Sequence, residues 1–156
     1  MAFVPYTGNF QYVETGWLGS AAIVQGALVR FDVATGYVEP STVGGTIDTD
    51  GCQYGVNMSA TQTASSTNGA TKTQIVPLAS GQVWKVDTTG DMVATHVGKI
   101  CSLTSGVAVD EDDFANWPIF KIVGYVGALA DRKALVTPQF AAAATGLDSG
   151  IVKIGI

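Results

Sequence analysis

The chain has 156 residues, 47% of them apolar and only 13% charged, with 19 glycines and a net charge of −5. That length suits one domain with a proper core, and the apolar share excludes intrinsic disorder, which goes with few apolar residues and high net charge. A pI near 4.5 leaves no basic patch to neutralise phosphates, so neither nucleic acid nor an anionic membrane surface is an expected partner.

Residues 1–20, MAFVPYTGNFQYVETGWLGS, crowd Phe3, Tyr6, Phe10, Tyr12 and Trp17 into a segment broken by Pro5, Gly8 and Gly16. No helical or strand period runs through it, and its rings must be buried somewhere. It reads as an N-terminal arm. Two placements are open: folded over its own domain, or laid on a neighbouring subunit with the five aromatics as protein-interface anchors. The segment has neither a basic n-region nor a continuous apolar h-region, and no run in the chain approaches the ~18 residues needed to span a bilayer. The expectation is synthesis in a cytoplasm.

Ala21–Phe31 holds a strand broken at Gly26, followed by a turn at Ala34-Thr35-Gly36 and a short run over Tyr37–Val43 kept at an edge by Pro40. In Cys52–Met58 the apolar residues Cys52, Tyr54, Val56 and Met58 recur at every second position, the pattern of a half-buried strand. Ser59–Thr73 is a low-complexity polar loop or ribbon tip. Gln74–Val86, QIVPLASGQVWKV, then reads as a hairpin turned over Ala79-Ser80-Gly81, with Pro77 guarding an edge and Trp84 and Val86 on one face.

Met92–Val97, Lys99–Leu103 and Val107–Val109 are further strand candidates separated by glycine turns. A last hairpin pairs Ile119–Val126 with Lys133–Val136. Phe120 and Ile122 fall on one face and Val123 and Tyr125 on the other, which predicts a central strand buried on both sides. Ala141–Ala144 is too short to nucleate a helix, and Ile151–Ile156 reads as a final short strand. Strands this short, with turn signals about every ten residues, predict an all-β fold: a compact antiparallel β-sandwich or barrel over 21–140, with extended N- and C-terminal arms (1–20 and 141–156).

Chemistry is sparse in the sequence. His96 is the one histidine, no G-x-S-x-G elbow accompanies any serine, and no phosphate-binding glycine loop occurs. Cys52 and Cys101 read as two buried thiols, and Asp48-Thr49-Asp50-Gly51 lacks the rest of a calcium loop. The acidic run Asp110-Glu111-Asp112-Asp113 reads as a solvated loop, with a bound cation as the alternative. No catalytic residue, cofactor or metal is assigned, and no enzyme activity is expected.

Certain runs, in this order, carry a likeness: Ile23–Val29, Tyr54-Gly55-Val56 with Ser59-Ala60-Thr61, Val76-Pro77-Leu78 with Gly81–Trp84, Val97-Gly98-Lys99, and Phe120–Tyr125 with Ala134-Leu135-Val136. Over about Ala21 to Phe140 the chain resembles the capsid decoration (cement) proteins of tailed bacteriophages, in particular the β-tulip group. The resemblance implies a structural virion protein with a β-tulip-like domain and terminal arms. It implies a homotrimer bound to the major capsid protein on the outside of the shell, assembled in the host cytoplasm. No functional residue transfers through it. Two other readings stand beside it: a different phage structural β-domain of tail, fibre or baseplate, and a carbohydrate-binding β-sandwich using Trp17, Trp84 or Trp117.

Overall fold

The computed structural model describes residues 2–17, 22, 24–32, 35–41, 54–61, 63, 67–113 and 119–139. The fold is all-β, with eleven strands among the described residues: β1 (Val4–Thr7), β2 (Val13–Gly16), β3 (Leu28–Asp32), β4 (Tyr37–Pro40), β5 (Tyr54–Asn57), β6 (Lys72–Pro77), β7 (Val83–Thr88), β8 (Ile100–Ser105), β9 (Ala108–Asp110), β10 (Ile119–Tyr125) and β11 (Lys133–Pro138). One sheet has the order β1-β7-β11-β10-β8-β9, and a parallel pairing of β9 with β7 closes its last five strands into a barrel. The second sheet has the order β2-β6-β5-β3-β4, and a single parallel bridge from Trp17 to Val38 draws its two ends together.

Closure is possible because β7 offers different halves of one edge to different partners. β1 pairs antiparallel with Val83–Lys85, while β9 pairs parallel with Asp87 and Thr88. The opposite edge of β7 is taken by β11. Both edges are therefore used, as a closed barrel requires.

The Gln74–Val86 stretch is the first departure from the sequence reading. It forms two strands, but they do not pair with each other. β6 belongs to the second sheet and β7 to the barrel, so Ala79–Gly81 is a corner between layers. Gln82, 2% exposed, fixes that corner. Its amide nitrogen donates to the carbonyls of Pro77 and Asn9 (3.1 and 3.2 Å), and its Oε1 accepts from the Ala79 amide (2.9 Å) and the Trp84 indole (3.2 Å). A buried amide with its hydrogen-bonding groups engaged holds the strands apart.

A second departure concerns which strand is buried on both faces. Along β10, Phe120 and Ile122 are fully buried, but Val123 and Tyr125 are 42% and 40% exposed. A barrel strand has one inner face, so Val123 and Tyr125, which alternate with Phe120 and Ile122, face outward. Two-sided burial occurs instead in the second sheet. Leu28 and Val29, neighbours on β3, lie in different cores, as do Ile75 and Val76 on β6. The main core joins the barrel interior (Trp84, Val86, Phe120, Ile122) to Leu28, Val56 and Val76; the smaller one gathers Val29, Val38 and Ile75 around Trp17.

β5 explains how a strand with alternating apolar residues becomes wholly buried. Tyr54 and Val56 supply the apolar face. Gly55 lies so close to β6 that a Cβ there would sit 3.0 Å from the Val76 carbonyl oxygen. Asn57 is buried with its amide engaged: Nδ2 donates to the Val24 and Ser59 carbonyls, and Oδ1 accepts from Ser59 N–H and Thr73 Oγ1. This network ties down the base of the polar 59–73 stretch.

Residues 2–17 are not an extended arm. Their backbone enters both sheets as β1 and β2, and Phe3 N–H donates to the Gly26 carbonyl (2.9 Å). Met92–Val97 is likewise not a strand: it folds into a 3₁₀ turn at Ala94–His96. The C-terminal arm and strand expected over 141–156 lie outside the described residues.

Replacing Gln82 by leucine keeps the volume but strands the Trp84 indole and the Ala79 amide without an acceptor. Buried unsatisfied groups cost about 1–3 kcal/mol each, so Gln82→Leu is expected to lower unfolding free energy by about 2–4 kcal/mol in urea titrations. A change below ~0.5 kcal/mol would show that the corner does not depend on it.

Candidate interaction surface

The five aromatics expected at an interface separate into two groups. Phe3 and Trp17, each 1% exposed, are core residues. Phe3 stacks at a tilt on Phe120 (5.2 Å between centroids), and Trp17 is held by backbone bonds to Thr71 and Gly69. Phe10 is half-buried, its ring edge-on to Trp84 at 4.9 Å and 79°. Tyr6 and Tyr12 remain outside, at 56% and 57% exposed. The reason at Tyr6 is local: the β1–β7 register slips between Pro5 and Thr7, and Tyr6 is the residue at the slip. The sequence alone could not sort these rings, because their irregular spacing comes from a bulge and a change of sheet.

A second apolar surface lies at one end of the barrel, where β10 gives way to turns. Gly98 N–H donates to the Ile122 carbonyl (2.8 Å), and Met92 N–H donates to the Leu129 carbonyl (3.0 Å). These bonds bring the first 3₁₀ turn, Ala94–His96, beside the middle of β10 and beside the second turn, Leu129–Asp131, which follows β10. Val93, Val97, Val123, Tyr125 and Leu129 are all exposed there. Of these, sequence reasoning assigned Val123 and Tyr125 to a buried face and singled out none for a surface. Only the barrel closure reveals them.

The acidic run does not act as one loop of parallel charges. Glu111 turns inward, 6% exposed, and its Oε2 accepts from Gly90 N–H (3.2 Å) and Thr89 Oγ1 (3.3 Å). Asp112 points outward, with its Oδ1 3.3 Å from His96 Nε2 and 3.7 Å from Lys99 Nζ. Asp110 Oδ1 accepts the Asp112 amide, and the Asp113 carbonyl accepts Ser102 N–H. Among the described residues no three His, Cys, Asp or Glu side chains converge as metal ligands.

Cys101 is fully buried; burial above all, then the nearby Glu111 and Asp110 carboxylates, push its thiol up to about 12, which leaves it unreactive. Cys52, Trp117 and Asp48–Gly51 lie outside the described residues. Trp84 is completely buried, so it presents no sugar platform. Two hollows of about 200 and 310 Å³ have mainly apolar described linings. The smaller is bordered by Trp17, Leu28 and Pro40, the larger by Ala2, Ala108 and Asp87.

Asp87 stands opposite Lys133 across the β7–β11 pair and accepts a hydrogen bond from its ammonium. Burial pushes the carboxyl up, but the Lys133 bond and nearby positive charge outweigh it, and the net position is below the usual 3.8. Exposed apolar side chains thus sit on a hydrogen-bonded β scaffold. Comparison with protein-family models, curated proteins and solved structures finds no match to this chain.

A carboxyl with a lowered folded-state pKa stabilises the fold above its unfolded value, and that contribution fades as pH falls through the folded value. Wild type should therefore lose stability below about pH 4, and Lys133→Met should flatten that part of the curve. Urea unfolding at steps of pH checks it; identical pH profiles for the two proteins would contradict the assignment.

Proposed function

We propose that this protein is a structural virion component that binds the outside of a tailed-phage capsid as a decoration (cement) protein, acting as a homotrimer on the major capsid protein. The observation that carries the reading is the exposure of large apolar side chains on a closed, rigid β scaffold. Tyr6 and Tyr12 project from the N-terminal strands, and the valines, Tyr125 and Leu129 cover one end of the barrel. Exposed aromatic and aliphatic groups held on fixed backbone suit protein contact, because little conformational entropy is lost on docking. The order of residue runs resembles that of decoration proteins, and the acidic, charge-poor composition suits contact with protein rather than nucleic acid.

A shell also amplifies modest contacts. Many copies bound to a repeating lattice act through avidity, and binding only the assembled state stabilises that state by mass action. The interface residues in this reading are Tyr6 and Tyr12, with Phe10 at the margin; Phe3 and Trp17 shape the fold that presents them.

Sedimentation of the purified protein with expanded capsids of the encoding phage tests the reading. Wild type is expected to co-sediment, and Tyr6→Ala with Tyr12→Ala to weaken binding about tenfold or more, with thermal stability nearly unchanged. Light scattering on the free protein is expected to give three times the 16.1 kDa chain mass. Failure to co-sediment with expanded shells would overturn the capsid reading.

A further inference from the structure

His96 is one of few polar side chains in the core, 6% exposed, and both of its ring nitrogens face a specific group. Val93 N–H points at Nδ1 from 3.3 Å, so Nδ1 is the acceptor. Nε2 faces Asp112 Oδ1 at 3.3 Å, so Nε2 carries the proton. The backbone closes the same ring from the other side, with His96 N–H donating to the Val93 carbonyl at 2.9 Å. The imidazole thus fills the place that a glutamate or glutamine fills in a capping box. It is also the reason this stretch leaves the extended conformation that its sequence predicts: a side-chain acceptor competes with strand pairing for Val93 N–H.

We propose that His96 is a proton-operated latch on the Val93–Val97 turn, closed while Nδ1 is unprotonated and released when a proton binds there. The chemistry is one of lone pairs. A proton on Nδ1 converts the acceptor into a donor and sets two N–H groups against each other, so the Val93 amide must let go. Nε2–H faces Asp112 in either state, and the added charge turns that contact from a neutral hydrogen bond into an ion pair. The other charges nearby are already engaged. Lys99 shares Asp112 Oδ1, Glu111 is bound to Thr89 and Gly90, Asp110 accepts the Asp112 amide, and Asp91 pairs with Arg132 (2.7 Å). Histidine is the side chain whose ordinary titration falls between pH 5 and 8.

The turn carries Val93 and Val97, two of the exposed apolar residues at the end of the barrel. Its neighbour Met92 is buried and hydrogen-bonded to Leu129, and Gly98 is bonded to Ile122. Those two anchors bracket the turn, and the His96–Val93, Val97–Ala94 and Lys99–His96 backbone bonds persist, so release is local: it frees the Val93 amide and shifts Val93 relative to Val97 without opening the barrel. The end surface therefore has two presentations, set by pH.

The 156-residue chain carries a single histidine, so its imidazole nitrogens give an unambiguous signal in ¹⁵N NMR. At about pH 8 the spectrum is expected to show the Nε2–H tautomer. As acid is added and Nδ1 takes up its proton, the Val93 amide shift should move in step with the imidazole signal, and its exchange protection should fall about fivefold, the equivalent of a net hydrogen bond of ~1 kcal/mol. The Trp84 indole resonance should stay in place, which distinguishes the latch from unfolding. His96→Gln, which retains an acceptor and cannot titrate, should hold Val93 protection constant. If that variant fails to fold, Asp112→Asn serves instead: it keeps the latch and should move the midpoints of the imidazole and of Val93 together. An Nδ1–H tautomer at about pH 8, Val93 protection unchanged through the imidazole titration, or a His96→Gln profile that follows wild type would each overturn the proposal.

Discussion

The arrangement of the two sheets depends on the side-chain amide of Gln82. Consecutive strands β6 and β7 would by default fold back on each other as a hairpin, the low-cost solution for so short a connection. Gln82 instead joins four places: the end of β6, the turn, the Trp84 indole on β7 and the Asn9 carbonyl on the N-terminal segment. By occupying these groups in the interior it makes the corner between layers and locates residues 8–10 against it. Gly8 fits there because a Cβ would fall 2.7 Å from the Gly81 carbonyl oxygen.

From that corner the remaining architecture follows. β7 leaves the second sheet and is free to take β11 on one edge, and β1 with β9 on the other. The barrel closes, and the second sheet, stripped of β7, packs one face on the barrel and curls its other face around Trp17. Two adjacent cores from one sheet require neighbouring apolar residues on the same strand, as Leu28-Val29 and Ile75-Val76 provide. In a strand the two members of each pair point to opposite faces.

The short strands and their turns were legible because they rest on local rules: alternation in Tyr54–Val56, glycine turns before Tyr37 and Val107, the Phe120–Tyr125 run with its antiparallel partner. These rules give an all-β fold but not the neighbour of each strand. The partner of β6 was misread because the decisive group, Gln82, acts through long-range bonds, the farthest of them to Asn9. The aromatic segment 2–17 looked irregular for a similar reason, since its residues change sheet between β1 and β2 and slip register at Tyr6. For the surface, spacing identified Tyr6 and Tyr12 along with Phe3 and Trp17 but held no signal to separate them. These apolar surface residues were invisible because Val93, Val97 and Val123 are ordinary core residue types, the first two exposed at a 3₁₀ turn and the third on the outer face of a barrel strand.

In the proposed function, binding falls to side chains that the fold leaves outside, and the N-terminal segment is framework. Native-state hydrogen exchange tests this most directly, by comparing the amides of Phe3 and Trp17 with those of β7 and β11. Phe3 N–H is bonded to buried Gly26, and the N–H of buried Trp17 to half-buried Thr71. Both amides are expected to exchange only through global unfolding, with the same denaturant dependence as Val86 and Val136. Rapid exchange of Phe3 and Trp17 beside a fully protected β7 and β11 would contradict it, and would return residues 2–17 to the status of a detachable arm.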